Sequence, residues 1–188
     1  MGPAFVRRRM MAELGPDWRA RFATFDDTAS ASASLGQVHR ATHHDGRRLA
    51  CKLQYPDMQS AVEADVTQLR IIFAVHARMS PAVDTAEILD EIAARLREEL
   101  DYTLEARHLA LYGGIFAGDA LIRVPDVVRE LSTGRLLTMT WAEGKPLLDY
   151  KASPAEQRNT IANADISGFQ CTSAAGGDVR RVFEACAY

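Results

Sequence analysis

The chain predicts an α+β fold, a five-stranded antiparallel sheet with two long helices inserted between its third and fourth strands. Three observations carry that prediction. Residues 37–54 hold two β-rich runs around an Asp45-Gly46 turn. Residues 58–73 repeat their apolar side chains at three- and four-residue steps, and helix start and stop signals bound a second stretch from Thr85 to about Tyr112. Residues 123–141 return to β-rich runs, Arg123–Val128 and Arg135–Trp141, joined by Ser132-Thr133-Gly134.

In chain order, Phe5–Leu14 reads as a short helix with Val6, Met10 and Leu14 on one stripe, stopped by Gly15-Pro16. Asp17–Phe22 adds a further turn or helix. The backbone becomes extended from about Thr28, and the small-residue run Ala29–Ser34 leads into a strand at Gln37–Thr42. The next strand, Arg48–Gln54, ends before Pro56. Met58, Val62, Val66, Leu69 and Phe73 mark the first long helix, broken at Ser80-Pro81. Asp84 with Glu87 makes a capping box for a single second helix from Thr85 to Tyr112, closed by Gly113-Gly114. After the hairpin at 123–141, Ser153 and Glu156 open a last helix, and from Asn163 onward periodicity is lost.

At 188 residues the chain suffices for one domain with a sizeable core. A net charge of −3 and a pI near 6.0 argue against nucleic acid as a partner. Arg7-Arg8-Arg9 reads as a solvated helix face or a contact for anionic lipid. No stretch has the apolar length of a membrane span and the N-terminus has no apolar signal region, so the expected location is cytoplasmic or peripheral to the inner membrane. Cys51, Cys171 and Cys186 have no C-x-x-C spacing, which excludes a disulfide framework or zinc site as the reading and fits a reducing compartment. No metal site is expected.

The chemistry concentrates around Lys52. Of 22 basic residues only Lys52, Lys145 and Lys151 are lysines, and Lys52 lies inside an apolar strand. Alternation sends Leu49, Cys51 and Leu53 to one face and Ala50 and Lys52 to the other. A nucleotide site needs this plan: a small residue leaves room for a base, and a lysine two positions on reaches the phosphates. An edge-strand lysine that discourages aggregation is the alternative. Upstream, Ala31-Ser32-Ala33-Ser34 offers backbone that can come close to phosphates, and a low-complexity linker is its alternative. Downstream, at 100° per residue of one helix, Glu98, Asp101, Tyr102 and Glu105 share a broad face, with Glu99 about 120° from Glu105. A solvated surface with i,i+4 pairing, such as Arg97 with Asp101, is the other reading of Glu98 and Glu99.

Three segments carry a resemblance to a known family. Ala31-Ser32-Ala33-Ser34-Leu35-Gly36-Gln37-Val38-His39 resembles the alanine-rich loop of the UbiB/AarF/ADCK atypical kinases. Lys52-Leu53-Gln54-Tyr55-Pro56 is similar to the segment that begins at their strand lysine, and Glu98–Ala106 resembles their E-x-D-Y-x-x-E-A helix signature. Order and spacing agree from Met1 to Ala162. The resemblance implies a protein-kinase-like small lobe whose large lobe is missing. It divides the chain into a helical extension at 1–27, small lobe and hinge at 28–150, the start of a large lobe at 151–162, and an unrelated, out-of-frame tail at 163–188.

It further implies ATP as cofactor, with Mg²⁺ in intact relatives. Ala31, Ser32, Ala33 and Ser34 would cover the phosphates, Ala50 would border adenine, and Lys52 would pair with Glu105. Met139 would stand at the back of the pocket, with the backbone from Thr140 to Ala142 as hinge. Glu99 and Asp101 would face a lysine of the family's K-x-G-Q segment, which this sequence does not contain. No catalytic loop or D-F-G motif is present downstream, so the expectation is a catalytically incompetent fragment of a family that supports ubiquinone biosynthesis by kinase or ATPase chemistry. Its partners would be the nucleotide and, beyond it, a membrane surface or ubiquinone-biosynthesis proteins. A non-catalytic helical module that binds lipid or protein is the alternative.

Overall fold

Apolar spacing near the N-terminus builds one half of the core. In the computed structural model, which describes residues 2–32, 35–79, 85–144 and 147–163, Pro3–Leu14 forms helix α1. Val6, Met10 and Leu14 are all buried, as their spacing predicts. Pro3 suits the first turn, where its missing N–H leaves no bond unmade, and Gly15 ends the helix at φ 89°, a conformation that favours glycine. Trp18–Arg21 is a short 3₁₀ turn.

The strands are β1 (Thr24–Ser32), β2 (Gly36–Thr42), β3 (Arg48–Gln54) and β4 (Leu136–Thr140), in a fully antiparallel sheet of that order. β1 starts four residues before the expected extended region, because Phe25, Asp27, Ala29 and Ala31 already alternate inward. The expected fifth strand at 123–128 is reduced to one isolated bridge, Val127 to Met139. Pro125 has no N–H to donate, and Val128 leads straight into a 3₁₀ turn at Arg129–Leu131. Four strands therefore replace five among the described residues.

Helix α2 spans Met58–Met79. The single helix expected from Thr85 to Tyr112 is two: α3 (Thr85–Glu99) and α4 (Tyr102–Ile115). Asp101 makes the break, since its carboxylate accepts the N–H groups of Thr103 and Leu104 and caps the second helix. Gly113 and Gly114 lie inside the last turn of α4 instead of closing it. The expected Asp84 cap falls outside the described residues. A 3₁₀ segment (Leu147–Ala152) and a helical run at 155–163 come after β4, and the tail at 164–188 also falls outside the described residues.

The sheet has a different cover on each face. Leu49, Cys51, Leu53 and Leu136 pack with Val6, Met10, Leu14, Trp18 and Phe22 of the N-terminal segment. Ala50, Leu137 and Met139 pack with Tyr102 and Leu109 of α4. α2 and α3 form a separate hairpin joined through Val62, Val66 and Ala93, with Arg97 paired to Glu63 at 2.7 and 2.9 Å. Arg9 is not the solvated residue its sequence position suggested: it donates to the Tyr55 carbonyl at 3.3 Å and ties α1 to the end of β3.

Polar residues also sit inside the first core, among them His39 and Thr138. His39 is fully buried, stacks on Phe25 at 5.6 Å, and its Nδ1–H donates to the Asp26 carbonyl at 3.0 Å. Burial lowers its pKa below the ordinary 6.5, against the opposing pull of Asp26 and Asp27. The unfolded chain therefore binds a proton near pH 6.5 that the folded chain refuses, and stability is lost as pH falls through that range. The unfolding midpoint should drop between about pH 7.5 and 5.5, on either side of the free histidine value, and His39→Gln should flatten that slope. An unchanged slope in the variant would remove His39 as its source.

Candidate functional site

β3 carries the central residue. Its pleat turns Leu49, Cys51 and Leu53 towards α1 and leaves Ala50 and Lys52 on the α4 face, as the alternation predicts. Cys51 accepts a hydrogen bond from Thr138 Oγ1, and burial pushes its thiol up to about 12, which makes it an inert core group. Across the strands, Lys52 stands between Val38 and Leu137, and Ala50 between Arg40 and Met139. Both strand neighbours of Lys52 are apolar, so its ammonium must find polar partners above the sheet.

It finds one in Glu105. Lys52 Nζ donates to both carboxylate oxygens, at 2.9 and 2.8 Å. The two side chains are 21% and 20% exposed, so the pair is shielded enough to be strong yet open on one side. The ammonium also lies 4.9 Å from the centroid of the Tyr102 ring, a cation–π distance. Such a group, held by an acid and a ring with one open side, suits an anionic ligand oxygen.

The approach of α4 to β3 is enforced by backbone chemistry. The Asp101 cap fixes the first turn, Tyr102 N–H donates to Gly134 O at 3.2 Å, and Gln54 Nε2 donates to Leu100 O at 3.1 Å. Gln54 is buried at the end of the strand that carries Lys52, so its hydrogen bond ties β3 to the α3–α4 joint. Thr103 hydroxyl and N–H bonds lower the Asp101 pKa below its ordinary 3.8.

The remaining expected site residues occupy several elements. Ala31 and Ser32 are the last residues of β1, paired with Val38 and Gln37, so the small-residue run is strand before it is loop. Ala33 and Ser34 lie outside the described residues. Met139 is buried opposite Ala50. Thr140 N–H is bonded to Asp126 O at 2.9 Å and Trp141 N–H to Arg48 O at 2.9 Å, and Ala142 is exposed. Asp101 precedes the helix that carries Glu105. It serves as a cap, while Glu99 ends α3 on the other side of the break and is exposed. Arg97 pairs with Glu63 of α2 and not with Asp101, which the cap has already engaged.

Two residues gained roles that spacing did not reveal. A Cβ on Gly36 would sit 2.6 Å from Leu53 O and 3.0 Å from the Tyr102 hydroxyl, so only glycine lets β2 approach here. Tyr102 is 1% exposed beneath the lysine. A backbone carbonyl cannot yield as a side chain would, and Gly36→Ala should lower stability by roughly 1–3 kcal/mol in urea unfolding. Asp101→Ala should cost about 1 kcal/mol by loss of the cap, and Asp101→Asn should restore most of it. Wild-type stability in Gly36→Ala and Asp101→Ala would refute these assignments.

Comparison with known proteins bears on the family and the fold. The ABC1 atypical kinase-like domain matches residues 3–173, which takes the likeness past Ala162 into the first part of the segment read as unrelated. The chain is 34% identical over 161 residues to the atypical kinase coq-8, mitochondrial, of Caenorhabditis elegans, covering 86% of this chain and 21% of that protein. It is 30% identical over 157 residues to the atypical kinase COQ8, mitochondrial, of Saccharomyces cerevisiae, covering 84% and 31%. Among solved structures, the Mycobacterium tuberculosis protein Rv3197, in complex with erythromycin, superposes with a TM-score of 0.76 at 36% identity over 84% of this chain and 40% of that one. The chain thus spans between a fifth and a third of the length of these two curated relatives.

Proposed function

The chain belongs to the ABC1 atypical kinase-like family, the UbiB/AarF/ADCK group, and on that premise we propose that it forms an ATP-binding small lobe built around Lys52. The observation that carries the reading is the Lys52–Glu105 pair, bidentate and open on one side. Lys52 holds the nucleotide phosphates, Glu105 fixes its ammonium, and Ala31 and Ser32 at the end of β1 lead towards the phosphates. Ala50, small and beside Met139, borders the adenine, and the Thr140 carbonyl and Ala142 backbone serve as hinge. The fit to ATP rests on that shielded cation beside an apolar strand face. Among the described residues no group of three His, Cys, Asp or Glu side chains converges, so no step is assigned to Mg²⁺. Phosphoryl transfer also needs a carboxylate to position the acceptor, and a lysine–glutamate pair does not provide one. Binding of ATP, not its turnover, is the activity proposed for these residues.

By family, the protein acts in ubiquinone biosynthesis, beside that pathway's proteins and peripheral to a membrane. The two curated relatives are named mitochondrial, and no described helix of this chain is long and apolar enough to cross a bilayer. A second reading, a non-catalytic helical module for lipid or protein, is favoured by the α2–α3 hairpin, where Ile71, Ile72, Val75, Ile88 and Ile92 are exposed. Calorimetry with a non-hydrolysable ATP analogue separates the two. Lys52→Ala should weaken binding about 10- to 100-fold, the worth of a charge-assisted bond, and Glu105→Gln should weaken it in the same direction by a smaller factor. Equal affinity in wild type and both variants contradicts the nucleotide site. Lipid or protein binding that persists unchanged in Lys52→Ala favours the second reading.

A further inference from the structure

Tyr102 makes more contacts than a core filler needs. Its ring centroid lies 4.9 Å from Lys52 Nζ, and the side chain is 1% exposed. Its hydroxyl is buried without a hydrogen-bond partner among the described groups and rests 3.0 Å from where a Gly36 Cβ would stand. Leucine would fill much of the same space but would offer Lys52 no ring face, so an aromatic side chain does here what an aliphatic one would not. Burial first, then the charge of Glu105 and the neighbouring Tyr55, raise its pKa and keep the phenol neutral. The face of a neutral phenol ring attracts a cation.

We propose that Tyr102 is a positioning residue for Lys52: its ring fixes the ammonium on one side while Glu105 fixes it on another, so the lysine presents its free side to the phosphates. Tyr102 thereby spans the distance from the lysine to Gly36, at the exit of the small-residue run. Its consequence for affinity rests on the nucleotide reading. Its consequence for the lysine does not.

The test keeps a benzene ring at position 102 and weakens its quadrupole step by step. In the whole 188-residue chain, Tyr102 is replaced by phenylalanine, 3,5-difluorophenylalanine and pentafluorophenylalanine. Binding of a non-hydrolysable ATP analogue is measured by calorimetry. The Lys52 ε-methylene shift is read by NMR without nucleotide. Affinity should fall stepwise along the series, by at least about threefold from first to last, with the thermal midpoint unmoved. The ε-methylene should be shifted upfield in wild type and Tyr102→Phe and lose that shift in Tyr102→Leu. Constant affinity along the series, or an ε-methylene at its unperturbed position in wild type, overturns the proposal. A wild-type chain that binds no nucleotide sinks the nucleotide reading alone, and the ligand-free shift then decides the role of Tyr102.

Discussion

The site exists because β3 and α4 are tied together at the place where the helical region breaks. Lys52 and Glu105 are 53 residues apart in sequence, and each hangs on an element whose position is set by something else. Gln54, two residues beyond the lysine, donates its backbone N–H to Arg135 O and its side-chain amide to Leu100 O. Asp101 then starts a new helix, and Tyr102 anchors its first turn to Gly134. With β3 and the start of α4 both held, Glu105 stands within hydrogen-bond reach of the ammonium. A continuous helix through residues 100 and 101 would carry Glu105 along a different axis.

The rigidity of that tie depends on the opposite face of the sheet. Leu49, Cys51 and Leu53 are almost completely buried against α1 and the aromatic group of Trp18, Phe22 and Phe25. A leucine side chain buried in this way contributes roughly 1.5–3 kcal/mol, so one strand face is committed to packing and the other is left for chemistry. Polar links reinforce the same connection: Arg9 to the Tyr55 carbonyl, and the Thr133 hydroxyl to Glu13 at 2.6 Å. The N-terminal helix is thereby part of what holds the lysine strand in place.

Much of this was legible in residues whose spacing has only one structural meaning. On a strand Val6, Met10 and Leu14 would share their face with Arg8, which a helix turns away, and Leu49, Cys51 and Leu53 meet on one face only on a strand. Where a residue type serves two purposes, the sequence misleads. Asp101 suits a helix surface as well as a cap, and no glycine or proline stands between Glu99 and Tyr102 to mark the break. The 123–128 run has the composition of a strand, yet Pro125 and the turn after Val128 leave it one bridge. Ring and glycine contacts such as Tyr102 with Lys52 and Gly36 with Leu53 O bring together residues far apart in the chain, and no local pattern encodes them.

The central claim is that Lys52, and not lysine in general, contacts nucleotide phosphate. An acyl-phosphate derivative of ATP tests it, because the reagent acylates the amine that sits against the phosphates. The chain has three lysines, Lys52, Lys145 and Lys151, so peptide mapping reads the answer directly. Labelling should fall on Lys52 and be blocked by excess ATP. Labelling shared evenly among the three, or indifferent to ATP, would contradict the account.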